Sequence, residues 1–396
     1  MQNPSAYTQR VSHLEPEGAY AVLARAQELE AQGRRITHLE IGQPDFPTPE
    51  HVSAAGIQAI VDGKTKYNPP AGLPRLRELI AEHAGSQRGL DLKPESVVVG
   101  PGSKPGLFFP TLALVAPGYE VLYPDPGFPT YEAMIRVAGG IPIAIPVREE
   151  NNFSFDLDAF DAKISNRTKL IILNSPANPT GGVIPLADLT HIAEQAQIYD
   201  CWVLSDEIYT RLVYDNVTAH SIAEVDGMLN RTVIVDGFSK TYSMTGWRLG
   251  YMIAPPELAE RLELLVTHAT GCTATFTQYA GMEALAGPQD FVDRMVAEYQ
   301  LRRDRMLELV NAIPGIHAQK PQGAFYVFPN IKAYGMKSKE IAARLIEEAG
   351  VAVLAGTDFG PGGEGYIRLV YAVSLDVIEE GLDKIAAWFR KLSPEA

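Results

Sequence analysis

Seven short runs of apolar, often β-branched residues constrain what this chain can fold into. They are SVVVG, EVLYP, IPIAIPV, KLIILNSP, CWVLSDE, TVIVDGFS and LGYMIAP, all between residues 96 and 255. Their apolar stretches do not alternate with polar residues, as those of a half-solvated strand would. Such runs suit strands covered on both faces. Most are separated by segments of helix length, for example LADLTHIAEQAQIYD from Leu186. Strands alternating with helices predict an α/β fold on a mainly parallel sheet. In such sheets ligands bind at the carboxyl ends of the strands. The polar residues directly after each run are therefore the first candidates for function.

The flanking regions read differently. Residues 20–33, YAVLARAQELEAQG, have helical apolar spacing and stop at Gly33. ITHLEIG then leads into the proline-rich QPDFPTPEH, and NPPAG follows at Asn68, so this segment is irregular but too apolar for a disordered linker. A long helical stretch begins near Asp290. AFYVFPN, KEIAARLIEEAG, VAVLAG, GYIRLVYA and LDVIEEGLDKIAAWFRKL come after it and predict a smaller α+β unit, with the N-terminal helix packed near it.

The net charge of −14 argues against a broad nucleic-acid surface, yet leaves room for a small anion in a local positive pocket. The two cysteines, Cys201 and Cys272, cannot build a disulfide framework, and no spacing suggests a metal. The polar N-terminus has no apolar signal core, and no apolar run reaches the ~18 residues of a membrane span. These features predict a soluble cytoplasmic protein.

Four strand ends carry chemistry. PGSKPG, after SVVVG, opens a helix, where free N–H groups and the helix dipole favour a phosphate. The same glycines also resemble a dinucleotide loop, with Asp125 placed 19 residues beyond Gly106 as a ribose-binding acid. SPANPTGG brings Asn178, a turn residue or a hydrogen-bond donor to a ligand. DEIY brings Asp206 and Tyr209. TVIVDGFS brings Lys240, with Arg248 eight residues on. A lysine buried near other cations has a lowered pKa and becomes a nucleophile toward an aldehyde. Pyridoxal phosphate needs such a lysine, an acid for its ring nitrogen, a planar cover and a phosphate cradle. Lys240 and Asp206 are the candidates for the first two, against an exposed loop lysine and a helix-capping aspartate, and Phe128 in PDPGFPTY is the candidate cover. Gly102, Ser103, Lys104, Ser239 and Arg248 are the candidate cradle. Tyr209 and Asn178 suit the ring's phenolic oxygen.

Assembled in this order, the motifs resemble the class I/II pyridoxal-phosphate aminotransferases of fold type I, the aspartate aminotransferase-like family. The resemblance covers nearly the whole chain. SKTYSMTGWRLGY looks like the family's cofactor-lysine segment, with Lys240 as anchor and Arg248 on the phosphate. NPTGG and SDEIY match the segments that give Asn178, Asp206 and Tyr209. IGQPDFPTP places Gly42 in the strip that closes over substrate. KYNPPAGLPRLR places Tyr67 where the family reaches the neighbouring subunit's cofactor phosphate. GEGYIRLVYA places Arg368 on the substrate α-carboxylate, a task suited to a planar fork of donors. Many relatives carry serine three residues before the lysine, where this chain has Gly237.

The resemblance implies a large domain, 46–289, whose mainly parallel seven-stranded sheet lies between helices. It implies a small α+β domain of 1–45 together with 290–396. It also implies a homodimer with shared active sites, and ping-pong transfer between an L-amino acid and a 2-oxo acid with Lys240 as acid and base. Aspartate with 2-oxoglutarate is the expected pair. Alanine or aromatic amino acids, and β-elimination on the same cofactor, are the alternatives. A nucleotide-dependent dehydrogenase would use Asp125 but leaves Lys240, Asp206 and Asn178 unexplained.

Overall fold

The computed structural model describes residues 8–12 and 14–392. The seven predicted runs form one sheet. Its strands are β1 (Val97–Gly100), β2 (Glu120–Asp125), β3 (Ile141–Pro146), β4 (Thr168–Asn174), β5 (Trp202–Asp206), β6 (Thr232–Gly237) and β7 (Gly250–Ile253). Their spatial order is β1-β7-β6-β5-β4-β2-β3. The neighbours β3, β2, β4, β5 and β6 run parallel, whereas β7 is antiparallel to both β6 and β1. The reversal follows from the connection. Residues 238–249 contain no helix, and a parallel return needs a long crossover, usually helical.

Both faces of the sheet are covered, which explains why the strands read as continuous apolar runs. Leu170, Ile172, Leu204 and Val233 pack on one face with Leu107, Tyr131 and Leu262 from the helices Lys104–Leu114, Thr130–Ala138 and Pro256–Ala269. Ile171, Leu173 and Val203 pack on the other with Leu189 and Ile192 of the helix Leu186–Ile198. Truncating a fully buried residue such as Ile171 to alanine costs about 2–5 kcal/mol.

A second cluster lies at the C-terminal end. Strands Leu354–Ala355, Ile367–Val370 and Tyr326–Val327 form a small antiparallel sheet. The helices Asp290–Asn311 and Leu375–Phe389 pack beside it through Met295, Met306, Ile378 and Leu382. The helix Gly18–Ala31 joins these elements. Its Ala26 and Leu29 pack with Ile346 and Ala352, and Thr37–His38 pairs in parallel with Val351–Ala352. The helix ends at Ala31, two residues before Gly33, whose φ of +84° turns the chain toward that pairing.

Candidate active site

The parallel strands point their carboxyl ends to one edge of the sheet, and most candidates lie there. Asp206 is the last residue of β5. Its buried carboxylate accepts from the Tyr131 hydroxyl at 2.7 Å (Oδ2). Burial pushes its pKa up to about 6 against that hydrogen bond, and the nearby charges of Asp236 and Glu207 push the same way. Tyr209, in the turn that follows, is buried and shares a 2.6 Å hydrogen bond with the hydroxyl of Tyr326.

Lys240 lies in the loop after β6. Its Nζ donates to the carbonyl of Gly42 at 2.6 Å and sits 5.6 Å and 5.9 Å from the ring centres of Phe325 and Tyr209. Burial first, then the charges of Arg368 and Arg248, pull its pKa down to about 8. The amine is thus poised near neutral pH, as a nucleophile or proton carrier requires.

Arg368, in the small sheet, is buried between the rings of Tyr326 and Phe359, 4.5 Å and 4.8 Å away. Its Nη1 donates to Asn178 Oδ1 at 3.0 Å and its Nη2 to the carbonyl of Glu40. Its Nε is buried without an acceptor. Asn178 is itself buried, and its N–H donates to Asn174 Oδ1 at 2.9 Å, at the end of β4. Gly42 must be glycine for close approach, because a Cβ there would overlap the Tyr326 hydroxyl.

A second group gathers at the start of the helix Lys104–Leu114. Gly102 has φ +87°, and Ser103 makes no side-chain cap bond. A Cβ at Gly102 would collide with the Arg248 guanidinium, which lies alongside. Arg248 donates to the carbonyls of Thr245 and Pro101 at 3.0 Å and 3.4 Å, and holds a φ of +54° that non-glycine residues rarely adopt. Arg248 precedes β7, and only because that strand is antiparallel does it reach this edge. Ser239 is buried next to Lys240 in the chain. The Lys104 ammonium pairs with Glu17 and lies 5.4 Å from the centre of the Phe128 ring. Phe128 in turn meets Tyr131 edge-on at 5.8 Å.

Two candidates stand apart. Tyr67 is 95% exposed in the single chain. Asp125 accepts the N–H of Gly362 at 2.9 Å and so ties β2 to the C-terminal loop. Gly237 faces Gly250 across the β6–β7 pair, where a Cβ would lie 3.0 Å from the Gly250 Cα. Sequence reasoning missed Tyr131, Phe325 and Tyr326, because aromatic residues in apolar runs look like core. Among the described residues no group of three or more His, Cys, Asp or Glu side chains could hold a metal. No helix there is long and apolar enough to cross a membrane.

An amine lowered toward neutrality, a buried carboxylate, and arginines held only by neutral acceptors gather at this edge. Comparison with known proteins identifies the class. Residues 34–385 match the family of class I and II aminotransferases, and the chain belongs to it. This family is pyridoxal-phosphate dependent, and the protein is an aminotransferase acting on amino and oxo acids. It is 41% identical to a probable aspartate/prephenate aminotransferase of Aquifex aeolicus, over 95% of this chain and 96% of that one. It is 38% identical to aromatic-amino-acid aminotransferase 2 of Thermococcus litoralis, over 96% and 97%. Its fold matches that of the aspartate aminotransferase of Thermus thermophilus solved with maleate. There the TM-score is 0.93 at 38% identity, covering 97% of this chain and 100% of that one.

Proposed function

We propose that the site holds pyridoxal 5'-phosphate and that the residues described above bind and use it. One observation carries this reading: Lys240, with its pKa near 8, lies within the influence of two arginines that have only neutral acceptors. The residues fit the cofactor part by part. The N–H groups of Gly102, Ser103 and Lys104, with Ser239 and Arg248, suit its phosphate. Phe128 suits one face of the ring, Asp206 the ring nitrogen, and Tyr209 and Asn178 the phenolic oxygen. Lys240 suits the aldehyde. When bound, the cofactor supplies a protonated ring that withdraws electrons from the substrate Cα.

The chain's own groups then divide the work. Arg368 and Asn178 hold the substrate α-carboxylate, with the free Nε of Arg368 supplying a further donor. Asp206, ionised above about pH 6, keeps a proton on the ring nitrogen. Lys240 Nζ, released when the substrate amine takes its place, would be the base that accepts the Cα proton and the acid that gives it back. General acid–base help of this kind contributes ~100- to 10,000-fold. The strip carrying Gly42 covers the site and excludes water. We infer that 1–45 with 290–396 moves as a small domain against 46–289 when this cover opens.

The active form is a homodimer in this reading. Ile57, Ile60 and Val61 of the helix Glu50–Val61 are exposed apolar residues, and Tyr67 follows them into solvent. A second copy covers them, and Tyr67 serves its neighbour's phosphate site. Two free cysteines, Cys201 and Cys272, accord with the reducing cytoplasm.

Aspartate with 2-oxoglutarate is the proposed pair, and the names of two of the relatives above support its aspartate half. A half-reaction screen of amino acids, following the visible absorbance of the lysine-bound cofactor, tests it. Aspartate should discharge that absorbance faster than alanine or phenylalanine. Phenylalanine reacting while aspartate does not would overturn the aspartate assignment. Absence of the absorbance in wild type, or its survival in Lys240→Ala, would overturn the cofactor reading.

A further inference from the structure

Behind Asp206, on the far face of the sheet, lies a buried ionic cluster that the site does not use. Ser205 and Glu207 alternate with Asp206 along the chain, so their side chains leave on the opposite face. Asp206 pairs in register with Val235, which sends Asp236 to that same far face. There Arg88, the last residue of the helix Pro74–Arg88, bridges both carboxylates. Its Nε donates to Glu207 Oε2 at 2.7 Å and its Nη2 to Asp236 Oδ2 at 3.0 Å. The side chains of Arg88, Glu207 and Asp236 are 1%, 3% and 10% exposed, so this is not a surface pair. Glu207 Oε1 accepts from the hydroxyls of Ser205 and Ser221 at 2.8 Å and 2.6 Å, and Asp236 Oδ1 from the N–H of Gly237 at 2.7 Å. Every carboxylate oxygen has a donor.

Stability alone is a poor reason for such a cluster, since apolar replacements of buried ion pairs are often as stable or more so. Its placement offers another reason. Glu207 directly follows Asp206, and Asp236 opens the short path to Lys240. We propose that Arg88 is a positioning residue for amino transfer. It ties together the β5 and β6 ends that carry Asp206 and Lys240, and it offsets the two carboxylates behind Asp206, so that Asp206 meets the cofactor ring nitrogen as an anion. This rests on the assignment of Asp206 to that nitrogen.

The charge count shows what is at stake. Two carboxylates and one guanidinium leave the cluster at a single net negative charge, and loss of the guanidinium doubles it. Asp236 and Glu207 both push the Asp206 carboxyl toward protonation. The other titratable groups that face Asp206 are Tyr131, Tyr209, Tyr326 and Lys240, and none of them changes in the variants below.

The test uses the full-length protein with and without cofactor. In the apoenzyme the carboxyl carbon-13 signal of Asp206, identified by its loss in Asp206→Asn, is titrated. Arg88→Met should raise its midpoint by about one unit or more and lower kcat about tenfold. Arg88→Met combined with Glu207→Gln returns the cluster to one negative charge and should bring the midpoint back. In holoenzyme reconstituted with ring-nitrogen-15 cofactor, the signal should move from pyridinium toward pyridine in Arg88→Met and return in the double variant. A folded Arg88→Met with both signals unmoved would overturn the inference. Should Arg88→Met fail to fold, Glu207→Gln alone must lower the apoenzyme midpoint, and an unchanged midpoint overturns the inference equally. A pyridinium that persists in Asp206→Asn would instead overturn the assignment of Asp206 itself, which the apoenzyme titration does not depend on.

Discussion

Arg368 donates from Nη1 to Asn178 Oδ1 at 3.0 Å, while its buried Nε has no acceptor. A buried donor left unpaired is costly, and in the proposed function a planar acceptor arriving with the substrate satisfies it. Lysine keeps the charge but not the fork. Arg368→Lys should therefore lower kcat/KM for amino acid and oxo acid alike, by roughly 10- to 100-fold, the worth of one charged hydrogen bond. The visible spectrum of the bound cofactor should not change. Unchanged kcat/KM in steady-state assays would remove Arg368 from substrate binding.

Asp206 is buried in its charged form at a cost to stability. Its carboxyl is raised from 3.8 to about 6 in the fold. Between these values the folded apoenzyme holds more protons than the unfolded chain, so this residue's contribution falls as pH rises through the window and stays low above it. Removing the charge should reverse that. Asp206→Asn is expected to stabilise the apoenzyme at pH 8 by about 2–3 kcal/mol while turnover collapses. Urea unfolding reads the gain, which should vanish below about pH 4. Equal midpoints for variant and wild type at pH 8 would refute it.

Gly42 sits against Tyr326, and its carbonyl receives the Lys240 amine. Gly42→Ala pushes a methyl group into the Tyr326 hydroxyl, so the strip cannot lie as it does. KM should rise by about tenfold, equivalent to the 1–3 kcal/mol typical of overpacking in part. Tyr326→Phe removes the clashing oxygen and leaves ring carbons 3.1 Å away. The double variant should recover part of the loss, which a cycle of four KM measurements will show.

Tyr67 can be tested across subunits. Tyr67→Ala and Arg248→Ala should each weaken cofactor retention, measured by dialysis and absorbance. If Tyr67 acts on its neighbour, mixed dimers contain one site with both residues intact. Unfolding and refolding an equal mixture should then restore roughly a quarter of wild-type activity, since about half the dimers are mixed. No recovery would place both residues in the same subunit's site.

The sequence by itself determined the strands, the edge at which the candidate residues gather, and the lysine and carboxylate that stand there. The reason is local: strands covered on both faces must be continuous apolar runs, and any polar residue released at their ends stands out. Tertiary structure decided the rest. The reversal of β7 brings Arg248, which precedes its strand, to the edge where Lys240 follows its own. Asn178 and Arg368 lie 190 residues apart yet share a hydrogen bond. Arg88 meets Glu207 across 119 residues, on a face that is hidden from the site. Tyr131 and Tyr326 resembled core until their hydroxyls found partners. Burial is written in local pattern, whereas a charge or hydroxyl gains its role from a partner that only the folded sheet delivers.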